Sequence, residues 1–408
     1  MLSTKISLAE CAELMEMNNG NLNLRLSSVT ELPNGLVVPG SLILRSTNIK
    51  ELPEDLIVGK HLDLAGTRIK QLPNNLIVSG NLDLSNSLIE ELPQKLKVGG
   101  SIQLAHSSIK RLPDGFSVPG RLDLSHTNIR RLPVHLSVGG SLNLYNSSVV
   151  MVCEGLSVGG SIYLEHTGVK GLPQDISVGK SLNLTDTRIE SLPDNLTVPG
   201  DLILLETPIK KLPDNLVVGG TLALENTSIE IVPDSLIVNG SAYFNGTGIS
   251  ALPDGFTVPG NLGLSWCRIK ELPENLSVGG NLNLSWTYIE ELPETLMVHG
   301  NLILTSSHIK KLPLGLNVLG DIVLQDAPYF TELPSNLTVG GDLVLSGSPI
   351  EKLPNGLVVN GDLFLDETHI SELPDDLTVH GDLYLAHTHI RRIPDSITVG
   401  GSIGYTAV

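Results

Sequence analysis

DLVLSGSPIEKLPNGLVVNG, residues 342–361, is one unit of a 20-residue period that runs from Asn21 to Gly401. Nineteen consecutive units keep the same phase, and each has Val at its eighteenth position. Leu occupies the fourth position in every unit except the one that contains Phe244. Because one unit of this length cannot bury its apolar side chains alone, neighbouring units must stack on each other. The period therefore predicts a β-rich solenoid with a long, repetitive surface, which is typical of binding rather than catalysis.

Apolar and polar residues alternate where one unit ends and the next begins. In Val198, Gly200, Leu202 and Leu204 the period is two, which is typical of one strand with a buried face. We therefore expect 20-residue coils with a parallel sheet on one face, and buried columns at positions 2, 4, 9, 12, 16 and 18. The LPxxL segment predicts turns, short 3₁₀ pieces or extended chain on the other face, because Pro fixes one backbone angle.

Three further features of the units predict structural detail. The seventh position is Ser or Thr in seventeen units, with Cys267 as one substitute, and we expect its hydroxyl to bond to the backbone of the next coil. Gly ends seventeen units and permits either a positive φ or a close approach of neighbouring coils. The unit from Asp321 to Gly341 has 21 residues, and its extra residue lies within residues 326–330, where a loop can bulge without shifting the core.

The ends of the chain differ from the repeats. Residues 1–20 are expected to form an N-terminal helical cap, because Ser7 and Glu10 have the spacing of a capping box that opens a helix to about Met17. Residues 21–401 are the solenoid of 19 repeats, and residues 402–408 are a partial terminal repeat. The N-terminus has no apolar run long enough for a secretory signal, and no later run is long enough to span a bilayer.

The composition excludes several classes of partner. The net charge of −18 argues against nucleic acid and anionic membranes. The three Cys residues form neither a disulfide framework nor a CxxC metal site, which favours a reducing compartment. His369 and His389 share the eighth position beside His387, Asp366 and Glu367, but we expect no metal site and no cofactor. A protein partner and a monomeric chain are the expectation.

The pattern LxLxxTxIxxLPxxL is similar to the short leucine-rich repeat, and the repeats over residues 21–401 resemble the type III secretion leucine-rich-repeat effectors of enteric bacteria. One departure is that three extra residues, as in Val218 to Gly220, separate the turn Leu from the LxL strand. They predict a second short strand and a flatter curve, with a β-helix-like solenoid as the alternative fold.

The resemblance implies a non-enzymatic scaffold that acts in virulence. Such a protein is made in the bacterial cytoplasm, secreted into the host cell cytosol, and binds a host protein on its strand face. Some effectors of this class carry a ubiquitin-ligase domain with a CxD nucleophile, whereas this chain has CAE, CEG and CRI. That activity is therefore not carried across. The alternatives are the recognition half of a larger enzyme and a self-associating structural protein.

Outward-facing residues near the C-terminus form the first candidate docking surface. The third position lies between two buried Leu, so we expect an exposed apolar strip of Ile303, Val323, Val344, Phe364 and Tyr384. The first position of the same coils holds Asp321, Asp342, Asp362 and Asp382. Neighbouring carboxylates about 4.8 Å apart repel by roughly 0.9 kcal/mol per pair in bulk water. This cost favours partner binding, with strand propensity and solvation as the alternative.

A second candidate surface is aromatic. Trp266 and Trp286 share the sixth position of adjacent coils, with Arg268 and Tyr288 at the eighth position. Exposed aromatic side chains that stack on each other are typical interface anchors. The alternative is a stack that only seals the edge of the sheet.

Overall fold

The computed structural model describes residues 5–335 and 337–404, which belong to two compact units, Met1–Pro208 and Ile209–Val408. In both units the chain is a parallel β-solenoid, and each coil contributes two strands of two residues. We call the strands at the second and third positions the front strands, and those at the seventeenth and eighteenth positions the back strands. Turns, bends and extended chain connect them, and the described residues contain no 3₁₀ helix.

The front strands of each unit follow at intervals of one coil. In the first unit they are Leu22–Asn23, Leu42–Ile43, Leu62–Asp63, Leu82–Asp83, Ile102–Gln103, Leu122–Asp123, Leu142–Asn143, Ile162–Tyr163, Leu182–Asn183 and Leu202–Ile203. In the second unit they are Leu222–Ala223, Ala242–Tyr243, Leu262–Gly263, Leu282–Asn283, Leu302–Ile303, Ile322–Val323, Leu343–Val344, Leu363–Phe364, Leu383–Tyr384 and Ile403–Gly404.

The back strands confirm the second strand that the three extra residues predict. In the first unit they are Val37–Val38, Ile57–Val58, Ile77–Val78, Lys97–Val98, Ser117–Val118, Ser137–Val138, Ser157–Val158, Ser177–Val178 and Thr197–Val198. In the second unit they are Val217–Val218, Ile237–Val238, Thr257–Val258, Ser277–Val278, Met297–Val298, Asn317–Val318, Thr338–Val339, Val358–Val359, Thr378–Val379 and Thr398–Val399. The expectation of one continuous strand was wrong, because a bend at the nineteenth and twentieth positions divides it into a back and a front strand.

Both kinds of strand pair in parallel with a register of one coil. In the front sheet of the second unit Leu363 pairs with Leu383, and in a back sheet Val38 pairs with Val58. The predicted apolar columns are buried, and Leu204 at a fourth position is 0% exposed. In the 21-residue coil, residues 321–341, Phe330 is buried and Tyr329 is exposed. The extra residue therefore precedes the ninth-position core residue, and the buried columns continue unshifted.

Gly at the twentieth position serves close approach rather than a positive φ. Gly300 is outside the positive-φ region. A Cβ on it would stand 2.3 Å from Oδ1 of Asn281 and 2.7 Å from the carbonyl carbon of Gly280. Real Cβ atoms do not tolerate such contacts, so a side chain at Gly300 would require a local shift of the neighbouring coil.

The sixth residue of every coil has a left-handed backbone, with φ between 50° and 73°. This conformation returns the chain toward the fourth residue, and the seventh hydroxyl then bonds within its own coil. Thr287 Oγ1, for example, donates to the carbonyl oxygen of Leu284 at 2.6 Å. The prediction that these hydroxyls bond to the next coil was therefore wrong for the typical 20-residue coil. Cys267 differs, since its thiol donates to the carbonyl oxygen of Phe244 in the preceding coil at 3.1 Å.

One helix, Leu8–Met17, precedes the first coil. Its capping box is confirmed: Ser7 Oγ accepts from the Glu10 N–H at 3.2 Å, and the Glu10 carboxylate accepts from the Ser7 N–H at 2.8 Å. Cys11 is fully buried. Among the residues described, no helix has the length and apolar character needed to cross a bilayer.

Truncation of a core column should destabilise the protein more than truncation of the neighbouring outward position. Leu204→Ala should lower the free energy of unfolding by about 2–5 kcal/mol, because it leaves a cavity in a fully buried column. Ile203→Ala is the matched control, since the Ile203 side chain lies at an outward-facing third position and is only half-buried. Urea unfolding of both variants measures the difference, and a loss at Leu204 no larger than at Ile203 would contradict the assigned core.

Candidate functional site

The C-terminal strip is brought together as predicted, but its exposure is lower than expected. Ile303, Val323, Val344, Phe364 and Tyr384 lie side by side in consecutive front strands. All five are half-buried rather than exposed. The reason is the close strand spacing, because each side chain is covered in part by its neighbours in the same column. The Phe364 and Tyr384 rings show this most clearly, with centroids 4.5 Å apart and planes 2° from parallel.

The four aspartates beside the strip hold neighbouring coils together. Oδ1 of Asp342 accepts a hydrogen bond from the backbone N–H of Asp362 at 2.8 Å, and Oδ1 of Asp362 accepts from Asp382 at 2.7 Å. Asp321 accepts in the same way from Asp342, and Asp382 accepts from Ser402. A hydrogen bond to a charged acceptor contributes about 1.5–3 kcal/mol, which exceeds the roughly 0.9 kcal/mol repulsion between neighbours. The repulsion is therefore no evidence for a partner by itself.

This ladder of side-chain acceptors continues with neutral residues in the same unit. Asn261, Asn281 and Asn301 accept the first-position N–H of the following coil at 2.8–3.0 Å. The geometry thus requires an acceptor and not a charge. Sequence reasoning missed the ladder, although its signal was present: nearly every first position is Ser, Thr, Asn, Asp or His.

The outer carboxylate oxygens make the strip electronegative. The Tyr384 hydroxyl donates to Oδ2 of Asp382 at 3.2 Å. This hydrogen bond is the main reason that the pKa of the Tyr384 phenol is raised, and the charges of Asp382, Asp362 and Asp342 raise it further. Deprotonation of the phenol would place one more negative charge beside the aspartates. The strip therefore presents two stacked rings bordered by negative charge.

The second candidate surface lies along the edge of the second unit. The Trp266 and Trp286 side chains are 61% and 49% exposed, and their rings stack with centroids 4.6 Å apart and planes 7° from parallel. Tyr288 belongs to a row of rings at the eighth position. Its ring centroid is 5.0 Å from that of His308, which in turn is 5.0 Å from that of Tyr329. The sequence did not reveal this row, because the extra residue moves Tyr329 out of the regular eighth position. We call these five residues the aromatic edge, and Arg268 lies exposed beside it.

Ring stacking offsets only part of the backbone cost at the two tryptophans. Each has a left-handed backbone, with φ of 62° at Trp266 and 59° at Trp286. For a residue with a side chain this conformation costs about 1–2 kcal/mol, so the pair costs about 2–4 kcal/mol. Their ring stack contributes about 0.5–1.5 kcal/mol. The same backbone occurs at the sixth residue of every coil, so this cost comes from the coil and does not by itself mark the tryptophans as functional.

Outside these two surfaces, the side chains of interest are those that could bind a metal or act as a nucleophile. No group of three or more His, Cys, Asp or Glu side chains in the part of the chain that the structure describes could hold an ion. The Glu165 and Glu225 carboxyls are half-buried, and burial raises the pKa of each. Burial also raises the pKa of the Cys267 thiol, which disfavours its nucleophilic thiolate form.

Comparison with known proteins finds likeness in solved structures only. No family model matches the chain, and no curated protein matches it. YopM from Yersinia enterocolitica WA-314 is 20% identical, with 98% of this chain and 94% of that chain covered and a TM-score of 0.47. YopM from Yersinia pestis, a leucine-rich effector protein, is 18% identical, with 97% and 92% covered and a TM-score of 0.40.

A leucine-rich-repeat protein of Leptospira interrogans is 19% identical, with 83% of this chain and 93% of that chain covered and a TM-score of 0.46. The predicted resemblance to bacterial leucine-rich-repeat proteins is confirmed. At this level of identity the likeness concerns the repeat architecture and assigns no partner.

Replacement of one aspartate in the ladder should separate its charge from its hydrogen bond. Asp362→Ala leaves the Asp382 N–H without its acceptor and should cost about 1.5–3 kcal/mol of unfolding free energy. Asp362→Asn keeps an oxygen in the same place and should stay within about 1 kcal/mol of the parent. Amide hydrogen exchange at Asp382 should be faster in the Ala variant only. Equal exchange in the two variants would show that the ladder is not structural.

Replacement of a tryptophan should reveal the backbone cost. Trp286→Asn introduces a residue that tolerates the left-handed backbone, as Asn226 does at another sixth position. The free energy of unfolding should therefore stay within about 1 kcal/mol of the parent or increase. Trp286→Ala is the control, because it loses the ring and keeps the unfavourable backbone, and it should be less stable than the Asn variant. A large loss in the Asn variant, measured by urea unfolding, would mean that the stack is a structural element.

Proposed function

We propose that this chain is a non-enzymatic protein-interaction scaffold that binds its partner on the C-terminal strip of the front sheet. The observation that carries the proposal is the stacked Phe364 and Tyr384 pair, in register with three aliphatic side chains and bordered by four carboxylates. A preformed surface of this kind limits the ordering cost of binding. In this proposal residues 1–20 are the N-terminal cap, residues 21–401 the binding solenoid and residues 402–408 a partial repeat, and residues 1–4, 336 and 405–408 of these ranges lie outside the described part of the chain.

The chemistry of the strip defines the partner. Apolar side chains of a partner would bury the half-exposed rings, and Lys or Arg beside them would pair with the outer oxygens of the Asp ladder. Charge complementarity of this kind accelerates association, whereas buried aromatic contacts slow dissociation. The partner is therefore a protein that presents apolar residues flanked by cations, and we propose no binding of nucleic acid and no insertion into membranes.

The cellular role is proposed from the repeats. Their resemblance to leucine-rich-repeat effectors supports a virulence protein that is present in the bacterial cytoplasm before export and in the host cell cytosol afterwards. A buried, hydrogen-bonded Cys267 supports the non-enzymatic reading, because a thiol of raised pKa is a poor nucleophile. We propose that the chain acts as a monomer with one protein partner.

Partner capture with matched variants tests the proposal. Phe364→Ala combined with Tyr384→Ala should weaken binding of a captured protein about tenfold or more, mainly through faster dissociation. Tyr163→Ala is the control, since Tyr163 is an aromatic residue at the same repeat position in the first unit. It should bind as the parent does.

Asp342→Asn refines the test, because it removes charge and keeps the acceptor for the ladder. It should slow association at low salt and change dissociation little. Surface plasmon resonance at two salt concentrations measures both rates. Loss of binding in Tyr163→Ala with full binding in the double variant would place the site on the other unit.

A further inference from the structure

One coil of the second unit lacks side chains where the aromatic edge begins. In residues 241–260 the sixth position is Gly246 and the eighth is Gly248, so neither outward position carries a side chain. Gly246 has a φ of +71° and donates its N–H to the carbonyl oxygen of Ser265 at 2.8 Å, which places it beside the coil of Trp266. We call the space above Gly246 the edge slot.

The indole of Trp266 forms one wall of the edge slot. Trp286 covers one face of this indole at 4.6 Å, and the opposite face is turned toward the coil of Gly246. Adjacent coils lie about 4.8 Å apart, so the sixth positions on the two sides of Gly246 are roughly 9–10 Å apart. That separation admits one planar group stacked on the free face of Trp266.

Hydrogen-bond acceptors and negative charge form the other wall. Oδ1 of Asn226 is 2.9 Å from where a Cβ on Gly246 would stand, so an acceptor already leans into the edge slot. The preceding residue, Glu225, has an Oε2 atom that is buried and without a hydrogen-bond partner in the described structure. The stem of Glu230 lies over Gly248, with Cγ 2.9 Å from the place of its Cβ. Arg268 lies at the eighth position of the next coil. Because its positive charge repels another cation, an incoming cation would bind on the sixth-position side of the slot.

We propose that the edge slot binds the guanidinium of an arginine side chain from the protein partner, stacked on Trp266 and hydrogen-bonded to Asn226. A guanidinium is planar, carries only donors, and is attracted to the electron-rich face of an indole. The negative charge of Glu230, whose stem lies beside the slot, complements it. The inference rests on the proposed function, since it adds an arginine to the partner, but it uses a surface different from the Phe364 and Tyr384 strip.

Titration of the full chain with a short blocked peptide tests the inference. The probe is acetyl-Gly-Arg-Gly-amide, and the control peptide contains citrulline, which keeps the shape of arginine and removes its charge. The arginine peptide should shift the NMR signal of the Trp266 indole N–H in a saturable way. The citrulline peptide should bind about fivefold more weakly or worse, because the cation–π attraction is lost.

A filled slot provides the matched variant. Gly246→Asn adds a side chain that tolerates the left-handed backbone, as Asn226 does, and it should abolish the shift. Gly347→Asn is the control, since Gly347 is also a sixth-position glycine of the second unit, with φ of +73°, and has no tryptophan in the next coil. Binding in this control should equal that of the parent, and thermal unfolding checks that both variants fold.

Each other outcome overturns the inference. These outcomes are equal binding of the citrulline peptide, no saturable shift with the arginine peptide, an undiminished shift in folded Gly246→Asn, and preferential binding of adenosine monophosphate, which would indicate a nucleobase site. The peptide arms need no variant, so a folding failure cannot obscure them. Phe364→Ala separates the two proposals: it should leave the peptide shift intact while it weakens partner binding. A lost peptide shift with an intact strip effect rejects only the edge slot.

Discussion

Backbone hydrogen bonds between adjacent coils hold this solenoid in register. In the second unit the Leu302 N–H donates to the carbonyl oxygen of Asp321 at 2.8 Å, and the Gly300 N–H donates to that of Gly280 at 3.0 Å. These bonds recur only if every coil has the same length between its bonded segments. Constant length aligns equivalent positions into columns, and the one extra residue is tolerated because Pro328 and Tyr329 lie outside those segments.

The columns explain which parts of the structure were predictable from sequence. Burial repeats with the period, so a fourth-position Leu such as Leu204 reveals the core by recurrence alone. The left-handed sixth position was missed although the sequence carried a signal, because twelve of its nineteen residues are Gly, Asn, Asp or His, which favour that backbone. Leu26, Glu206 and Trp266 are not typical of it. Here the closed geometry of the coil overrides local preference. The seventh-position hydroxyl was misassigned for the same reason, since only the left-handed turn brings it to its own fourth carbonyl.

Column geometry also decides how exposed each candidate surface is. On the front sheet, third-position neighbours one strand apart shield one another, so the strip of Phe364 and Tyr384 is half-buried although it faces outward. At the edge, side chains project from a turn and retain more contact with water, as Trp266 does. The sequence showed which residues share a column but not how much surface each presents, because exposure depends on the neighbouring coils.

The acceptor ladder separates charge from fold in this protein. Asn281 and Asp342 accept the same hydrogen bond at 2.8 Å, so the backbone geometry does not discriminate between a neutral and a charged residue at the first position. A column can therefore change its charge without a change of structure. The four consecutive aspartates beside the strip are required as acceptors, whereas their charge is not required by the fold. The negative charge of this column is therefore available to interact with a binding partner.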